Sequence, residues 1–288
     1  MPDGIIVIDK PAGWTSMDVC AKLRGAFHEK RVGHAGTLDP MATGVLPVFV
    51  GQATKAVPFA EDGRKEYVAR LRLGVVTDTQ DTEGRVLETA SADVSEETLR
   101  AALTGFTGEL DQVPPMYSAV KIKGQKLYEL ARKGVEVERK PRRVTISELE
   151  LLPPDERGDW GLRVVCSKGT YIRTLCHDLG AFLGCGGCMS ALRRTMAAGY
   201  GIDEAVTLTE AISGGAALLR PTDSLFRRYP AYRIHSAEIE RRCLCGGQIR
   251  DKRVGDGTYR VYGIDGAFLS LSRCEKGVLT SIRNFFSV

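Results

Sequence analysis

No apolar run in this chain approaches the roughly 20 residues that a bilayer-spanning helix needs, so a membrane span is excluded. The N-terminal stretch, residues 1–14, has acidic and basic residues on either side of a short apolar run. It lacks the basic start and small-residue exit of a cleavable signal, and a cytoplasmic location is expected. No internal repeat or low-complexity tract is visible. Rossmann and P-loop glycine patterns are missing too, which leaves dinucleotide and nucleoside triphosphate chemistry without a footprint. An excess of one charge is also lacking: 40 Lys and Arg stand against 36 Asp and Glu, a net of +4. That balance names no polyanionic partner by itself. Apolar residues at 43% and charged residues at 26% exclude a wholly disordered, collagenous or coiled-coil chain. With 288 residues, one large domain plus a small one is expected.

The distribution of charge says more than its sum. Basic residues gather at Arg139, Lys140, Arg142 and Arg143, at Arg193 and Arg194, at Arg227 and Arg228, at Arg241 and Arg242, and around Arg250, Lys252 and Arg253. One such cluster is a solvated face; five together favour a polyanion. The eight cysteines read as reduced thiols in a cytoplasmic chain. Two spacings, Cys185 with Cys188 and Cys243 with Cys245, invite a structural zinc. The pairs lie far apart and the second is tighter than the usual knuckle, so no metal is expected. Cys20, Cys166, Cys176 and Cys274 lie among apolar neighbours and read as small buried hydrophobes.

Along the chain, residues Ile5 to Ile8 predict a strand, and Val19, Leu23 and Phe27 recur at helical spacing within a helix from Ser16 to Phe27. Residues 65 to 74 alternate, with Tyr67, Ala69, Leu71 and Leu73 on one face, as a half-buried strand does. Asp93 or Ser95 caps a helix to about Leu103. The stretch from Gln112 to Val137 reads as a basic, partly mobile excursion carrying Lys121, Lys123, Lys126, Arg132 and Lys133. Strand-like runs follow at 142–152 and 160–167, then a helix from about Tyr171 to Leu183, and Thr207 with Glu210 forms a capping box. A boundary near 224–231 introduces a glycine-broken, β-rich end.

GHAGTLDPMATGVLPV is the most unusual segment. Its glycines let backbone approach another surface, Pro40 biases Asp39 toward an extended conformation, and Asp39 is the one carboxylate for many residues either way. By itself an Asp-Pro pair on a loop reads first as a turn, and a chemical role for the isolated carboxylate is the other reading. An isolated carboxylate suits divalent-metal chemistry poorly, because that usually gathers two or more acidic ligands. A glycosidase of the usual type would need a second carboxylate at a set distance, and none accompanies this motif.

The segment resembles the catalytic motif of TruB-type tRNA pseudouridine synthases, which make the pseudouridine of the T-loop at tRNA position 55. Three further blocks agree in order: DGIIVIDKPAGWTSMDV; KEYVARLRLGVVTDTQDTEG with QVPPMYSAVKIKGQKLYELARKGVEVERKPR after it; and GTYIRTLCHDLG followed by LRRT. The resemblance covers roughly residues 4 to 225. It implies an α+β fold with a mixed, largely antiparallel sheet flanked by helices. The expected division is a catalytic domain over 1–228, with the basic excursion at about 112–143, and a small β-rich PUA-like RNA-binding domain over 229–288.

The resemblance also implies roles. Asp39 would be the nucleophile on a flipped-out uridine, Arg173 would pair with it and orient it, and Tyr67 would stack on the base and be a candidate for proton transfer. Tyr171 and Leu192 would line the pocket, His34 would take the place of an extruded base, and Lys10, with Pro11, would support the site at its edge. Asp78 and Asp81 stay outside catalysis. No cofactor is implied. The expected partner is tRNA, held at its T-arm and acceptor end by a monomer. A non-catalytic tRNA-binding or folding protein on the same scaffold is the alternative, and a guide-RNA-dependent enzyme a minor one, since QVPPMYSAVK and the compact C-terminus look like the stand-alone bacterial form.

Overall fold

The computed structural model describes residues 2–61, 63–122 and 124–286; Lys123 of the basic excursion lies outside the described residues. Strand Lys65–Leu73 shows how the main sheet is read from its sequence. Lys65, Tyr67, Ala69 and Leu71 point inward and are buried, while the residues between them are partly exposed. This strand lies in a sheet ordered Val206–Thr207, Gly4–Lys10, Thr43–Val50, Gly187–Ala197, Lys65–Leu73, Trp160–Cys166, Arg142–Leu152 and Gly108–Gln112. Val32–His34 pairs onto Thr43–Val50, and Tyr200–Gly201 onto Gly187–Ala197. Two neighbouring pairs are parallel, Gly4–Lys10 with Val206–Thr207 and Thr43–Val50 with Gly187–Ala197; the other neighbours in the order are antiparallel.

Helices cover one face. Ser16–Phe27 starts at a capping box: the Asp18 N–H donates to the Thr15 hydroxyl and the Asp18 carboxylate accepts from the Thr15 N–H. Glu96–Leu103 starts at Ser95, and Ile172–Phe182 follows Tyr171. Their apolar stripes bury Val19, Leu23, Leu99, Leu175 and Leu179 against Leu71, Leu162, Val164 and Leu192 of the sheet.

The opposite face, under Ile5, Val7, Val45 and Phe49, is covered differently. Here Ala53, Ala56 and Phe226 meet Leu271 and Phe285 of a second sheet, ordered Ala231–Arg233, Gly257–Tyr262, Phe268–Glu275, Val278–Asn284 and Ile249–Arg250. Phe226 lies 5.5 Å from Phe59, 6.0 Å from Phe268 and 5.7 Å from Phe285, ring centre to ring centre. The C-terminal sheet has a small core of its own, with Ile234, Val261 and Leu269, yet it shares this aromatic cluster with the larger sheet.

The central strand Gly187–Ala197 has no counterpart in the sequence reading. Register shifts at Met189/Ala191 and Arg194/Met196 break its period of two. Two arginines near its middle hide it further. The Arg193–Arg194 pair, read from sequence as part of a polyanion-facing surface, is corrected here: Arg194 is wholly buried, and Arg193 is ion-paired to Asp9 at 2.7 Å. Cys20, Cys166, Cys176 and Cys274 are buried, and burial pushes the thiols of Cys20 and Cys166 up to about 11. Among the described residues no group of three or more His, Cys, Asp or Glu is placed to hold a metal ion, and no helix is long and apolar enough to cross a membrane.

Because Phe226 joins both sheets, Phe226→Ala should cost about 3–5 kcal/mol, the range for emptying a buried aromatic site. Urea unfolding followed by fluorescence and by far-UV circular dichroism checks this. A loss under about 1 kcal/mol would show that the two sheets do not depend on the cluster.

Candidate active site

The loop between strands Val32–His34 and Thr43–Val50 is fastened on both sides of Asp39. Before it, the Leu38 N–H donates to the Ser16 hydroxyl at 2.9 Å, and that hydroxyl donates back to the Leu38 carbonyl at 3.3 Å. After it, the Pro40 carbonyl accepts from the Gly13 N–H at 2.9 Å and from Lys10 Nζ at 3.2 Å. Lys10 is fully buried, and its ammonium also donates to the Pro11 and Trp14 carbonyls at 2.9 and 2.7 Å. Burial pulls its pKa down to about 8, against the opposing charge of Asp39. Lys10 thus holds the loop from beneath and presents no charge to solvent.

Between these anchors the Asp39 side chain is 36% exposed, and it faces a guanidinium that is 5% exposed. Arg173 Nε reaches Asp39 Oδ2 at 2.9 Å and Nη2 reaches Oδ1 at 3.3 Å, a forked pair. The arginine is itself held: Nη1 donates to the Thr79 carbonyl at 2.9 Å and Nη2 to the Tyr117 carbonyl at 2.8 Å. Asp81, also buried, places Oδ2 3.5 Å from Nη1 on the far side. The Thr79 hydroxyl and the Glu83 N–H donate to Asp81 Oδ1 at 2.6 and 3.1 Å and fix its orientation. Arg173 therefore sits between two carboxylates, one open to solvent and one enclosed.

Tyr67 is buried on the sheet face that also carries Leu192 and Arg194; Leu192 pairs with Ala69 and Arg194 with Tyr67 across adjacent strands. Burial raises the phenol's pKa, so Tyr67 stays protonated at neutral pH. Leu192 packs in the core cluster with Tyr67. Tyr171, half-buried, opens helix Ile172–Phe182, and a buried glutamine grips its backbone from both sides: Gln112 accepts from the Tyr171 N–H at 2.7 Å and donates to its carbonyl at 3.0 Å. His34 ends the strand leading into the loop, with Nδ1 buried and unpartnered among the described residues. Burial, helped by the charge of Arg194, takes its pKa down to about 4, so the ring is neutral at pH 7.

The structure thus brings Asp39 and Arg173 into direct contact, and Lys10 onto the same loop. Tyr67 and Leu192 share one sheet face. Sequence reasoning missed four supports, Ser16, Asp81, Gln112 and Arg194. Asp81 carried a signal, since TDTQD holds two carboxylates in a short polar turn. The others carried none, because a Ser, a Gln or an Arg is ordinarily a surface residue.

An oriented, half-open carboxylate held by a buried guanidinium fork is a group that can act as a base or as a nucleophile. Comparison with known proteins shows the class of protein. Residues 24–172 match the profile of the TruB family pseudouridylate synthase N-terminal domain, and residues 173–226 match the tRNA pseudouridylate synthase B C-terminal domain. A protein of Aromatoleum aromaticum named tRNA pseudouridine synthase B is 46% identical over 95% of this chain and 89% of its own length. One of the same name from Thiobacillus denitrificans is 43% identical over 98% and 95%. Among solved structures, a Cbf5–Nop10–Gar1 complex contains a chain that superposes with a TM-score of 0.74 at 26% identity, covering 99% of this chain and 85% of that one. The chain belongs to the TruB family of pseudouridylate synthases.

The lowered pKa of His34 has a consequence for stability. The unfolded ring takes up a proton below its ordinary 6.5, whereas the folded ring stays neutral down to about 4. Stability is therefore lost as pH falls through that window. His34→Phe, which keeps a flat ring but does not titrate, should lose about 2 kcal/mol less than wild type between pH 7 and pH 5. Urea midpoints at the two pH values check it; parallel losses would show that His34 is not held neutral.

Proposed function

We propose that this protein isomerises uridine to pseudouridine at position 55 in the T-loop of tRNA, with Asp39 as the nucleophile on a flipped-out base. The forked Asp39–Arg173 pair in a family-matching loop is the observation that carries this reading. The reaction breaks the bond between N1 and C1′, turns the base and joins C5 to C1′. C5 releases its hydrogen as a proton and N1 gains one, so the conversion needs no oxidant, reductant or group donor.

This chain's residues divide the work. Arg173 orients the carboxylate, and Asp81 backs the arginine. Tyr67 offers the base a ring to stack on, with Leu192 and Tyr171 at the pocket wall. His34, neutral and planar, fills the gap in the nucleic-acid stack. The protein acts in the cytoplasm as a stand-alone monomer. Relatives named tRNA pseudouridine synthase B that match most of the chain support the stand-alone form over a guide-dependent one.

Residues 1–228 form the catalytic domain and 229–288 the RNA-binding domain that reaches the acceptor end. Within the 112–143 segment, Arg143 is paired to Asp111 and Arg139 to Glu136. Phosphate contact falls to the exposed Lys121, Lys133, Lys140 and Arg142 beside them. The intact Asp39–Arg173 pair argues against a binding-only protein.

Unmodified tRNA carrying tritium at uridine C5 should release its label on incubation with the enzyme. Asp39→Asn should slow release by about three orders of magnitude or more, with tRNA affinity kept within a few-fold, because an amide keeps the shape but is a poor nucleophile. Arg173→Lys keeps the charge but loses the fork, and should slow the single-turnover step by about 10²-fold. Near-wild-type turnover by Asp39→Asn would end the assignment.

A further inference from the structure

The central strand Gly187–Ala197 carries a side chain that the chemistry above leaves unused. Arg194 is the largest fully buried side chain among the described residues. Burying a guanidinium is expensive unless an anion faces it, and among the described residues none of the hydrogen bonds of Arg194 goes to a carboxylate. Nε donates to the Val45 carbonyl at 2.7 Å and Nη2 to the Gly36 carbonyl at 2.9 Å. Nη1 is buried with no partner among the described residues.

The two carbonyls lie on either side of Asp39, so one planar fork ties both ends of the Asp39 loop to the sheet. The register sets Arg194 directly across from Tyr67 on the neighbouring antiparallel strand. Its charge draws the Tyr67 phenol's pKa down against the larger, upward effect of burial, and it acts on Lys10, His34 and Lys65 as well. Two glycines with positive φ make room for it. A Cβ on Gly44 would lie 2.2 Å from the Arg194 carbonyl oxygen, and one on Gly36 would lie 3.3 Å from Nη1.

We infer that Arg194 is a positioning residue: it locks the Asp39 loop and the Tyr67 ring into one relative geometry, so that the carboxylate meets a uridine stacked on that ring. The inference rests on the roles given to Asp39 and Tyr67 above. It assigns a buried arginine of LRRT to the chemical step, where its neighbour Arg193 is a partly exposed residue paired to Asp9.

Two substitutions test it. Arg194→Lys keeps the charge but cannot hold both carbonyls in one plane; Arg194→Met fills similar space with neither charge nor donor. Tritium release under single-turnover conditions with saturating tRNA, tRNA affinity and thermal midpoint are measured for each and for wild type. Both variants should fold and bind tRNA within about threefold of wild type. The rate should fall about 10²-fold for methionine, as for a misplaced catalytic group, and less for lysine.

Wild-type rates from either folded variant would reduce Arg194 to a space filler and overturn the inference. Rate and affinity falling together would place it in RNA binding and also overturn it. Failure of both variants to fold would make it a requirement of the fold, again against a positioning role. A wild-type enzyme that releases no tritium would instead overturn the pseudouridine reading itself.

Discussion

Arg173 can be buried because every direction in which its guanidinium points meets an acceptor. Taking such a cation out of water costs several kcal/mol unless oxygen atoms replace the lost hydration. Here the replacements come from far along the chain: Asp39, the Thr79 carbonyl, Asp81 and the Tyr117 carbonyl. Satisfying one side chain therefore fixes three segments at once. The Asp39 loop, the TDTQD turn and the start of the basic excursion are brought to the first turn of helix Ile172–Phe182, and the candidate site follows from that closure.

The TDTQD turn illustrates how tightly the closure is held. Gln80 takes a positive φ of 64°, uncommon for a side-chain-bearing residue, and accepts from the Thr174 hydroxyl at 2.8 Å. Its carbonyl accepts from the Met189 N–H at 3.0 Å, which fastens the turn to the central strand. Arg173 is thus clamped from the sheet as well as from the loops. A guanidinium held in this way presents its fork in one orientation, and the Asp39 carboxylate aligns to it rather than to water.

Much of this was legible in the sequence, and the unread parts share a cause. Helix Ser16–Phe27 was readable from its apolar spacing and strand Lys65–Leu73 from its alternation, because each shows the period of its own backbone. Asp39 stood out through isolation among glycines, and Arg173 and Tyr67 through resemblance. Strand Gly187–Ala197 was hidden because two bulges reset its alternation, so its period is a property of the pairing and not of the residues. Ser16 and Gln112 act through hydrogen bonds to distant backbone, and no local pattern encodes such a partner; Asp81 was visible as a carboxylate of a polar turn, but its ion pair with the distant Arg173 was not. Arg194 misled outright: next to Arg193 it looks like surface charge, and only the sheet's register turns one inward and the other out.

That division between inward and outward arginines bears on how affinity and chemistry are separated. Outward arginines such as Arg143 and Arg193 are already paired with Asp111 and Asp9, so a phosphate must compete with a carboxylate before it gains anything from them. Their contribution is modest, exchangeable and screened by salt. Arg173 and Arg194 are inaccessible to a phosphate, and they act on groups already held at fixed distance. Their effect needs no rearrangement when RNA arrives, and it persists at salt concentrations that weaken the surface pairs. RNA-binding energy is then not spent on assembling the carboxylate and its arginine, which are in place beforehand. A site built in this way should reject most changes to its buried hydrogen bonds while tolerating wide variation in its surface charge.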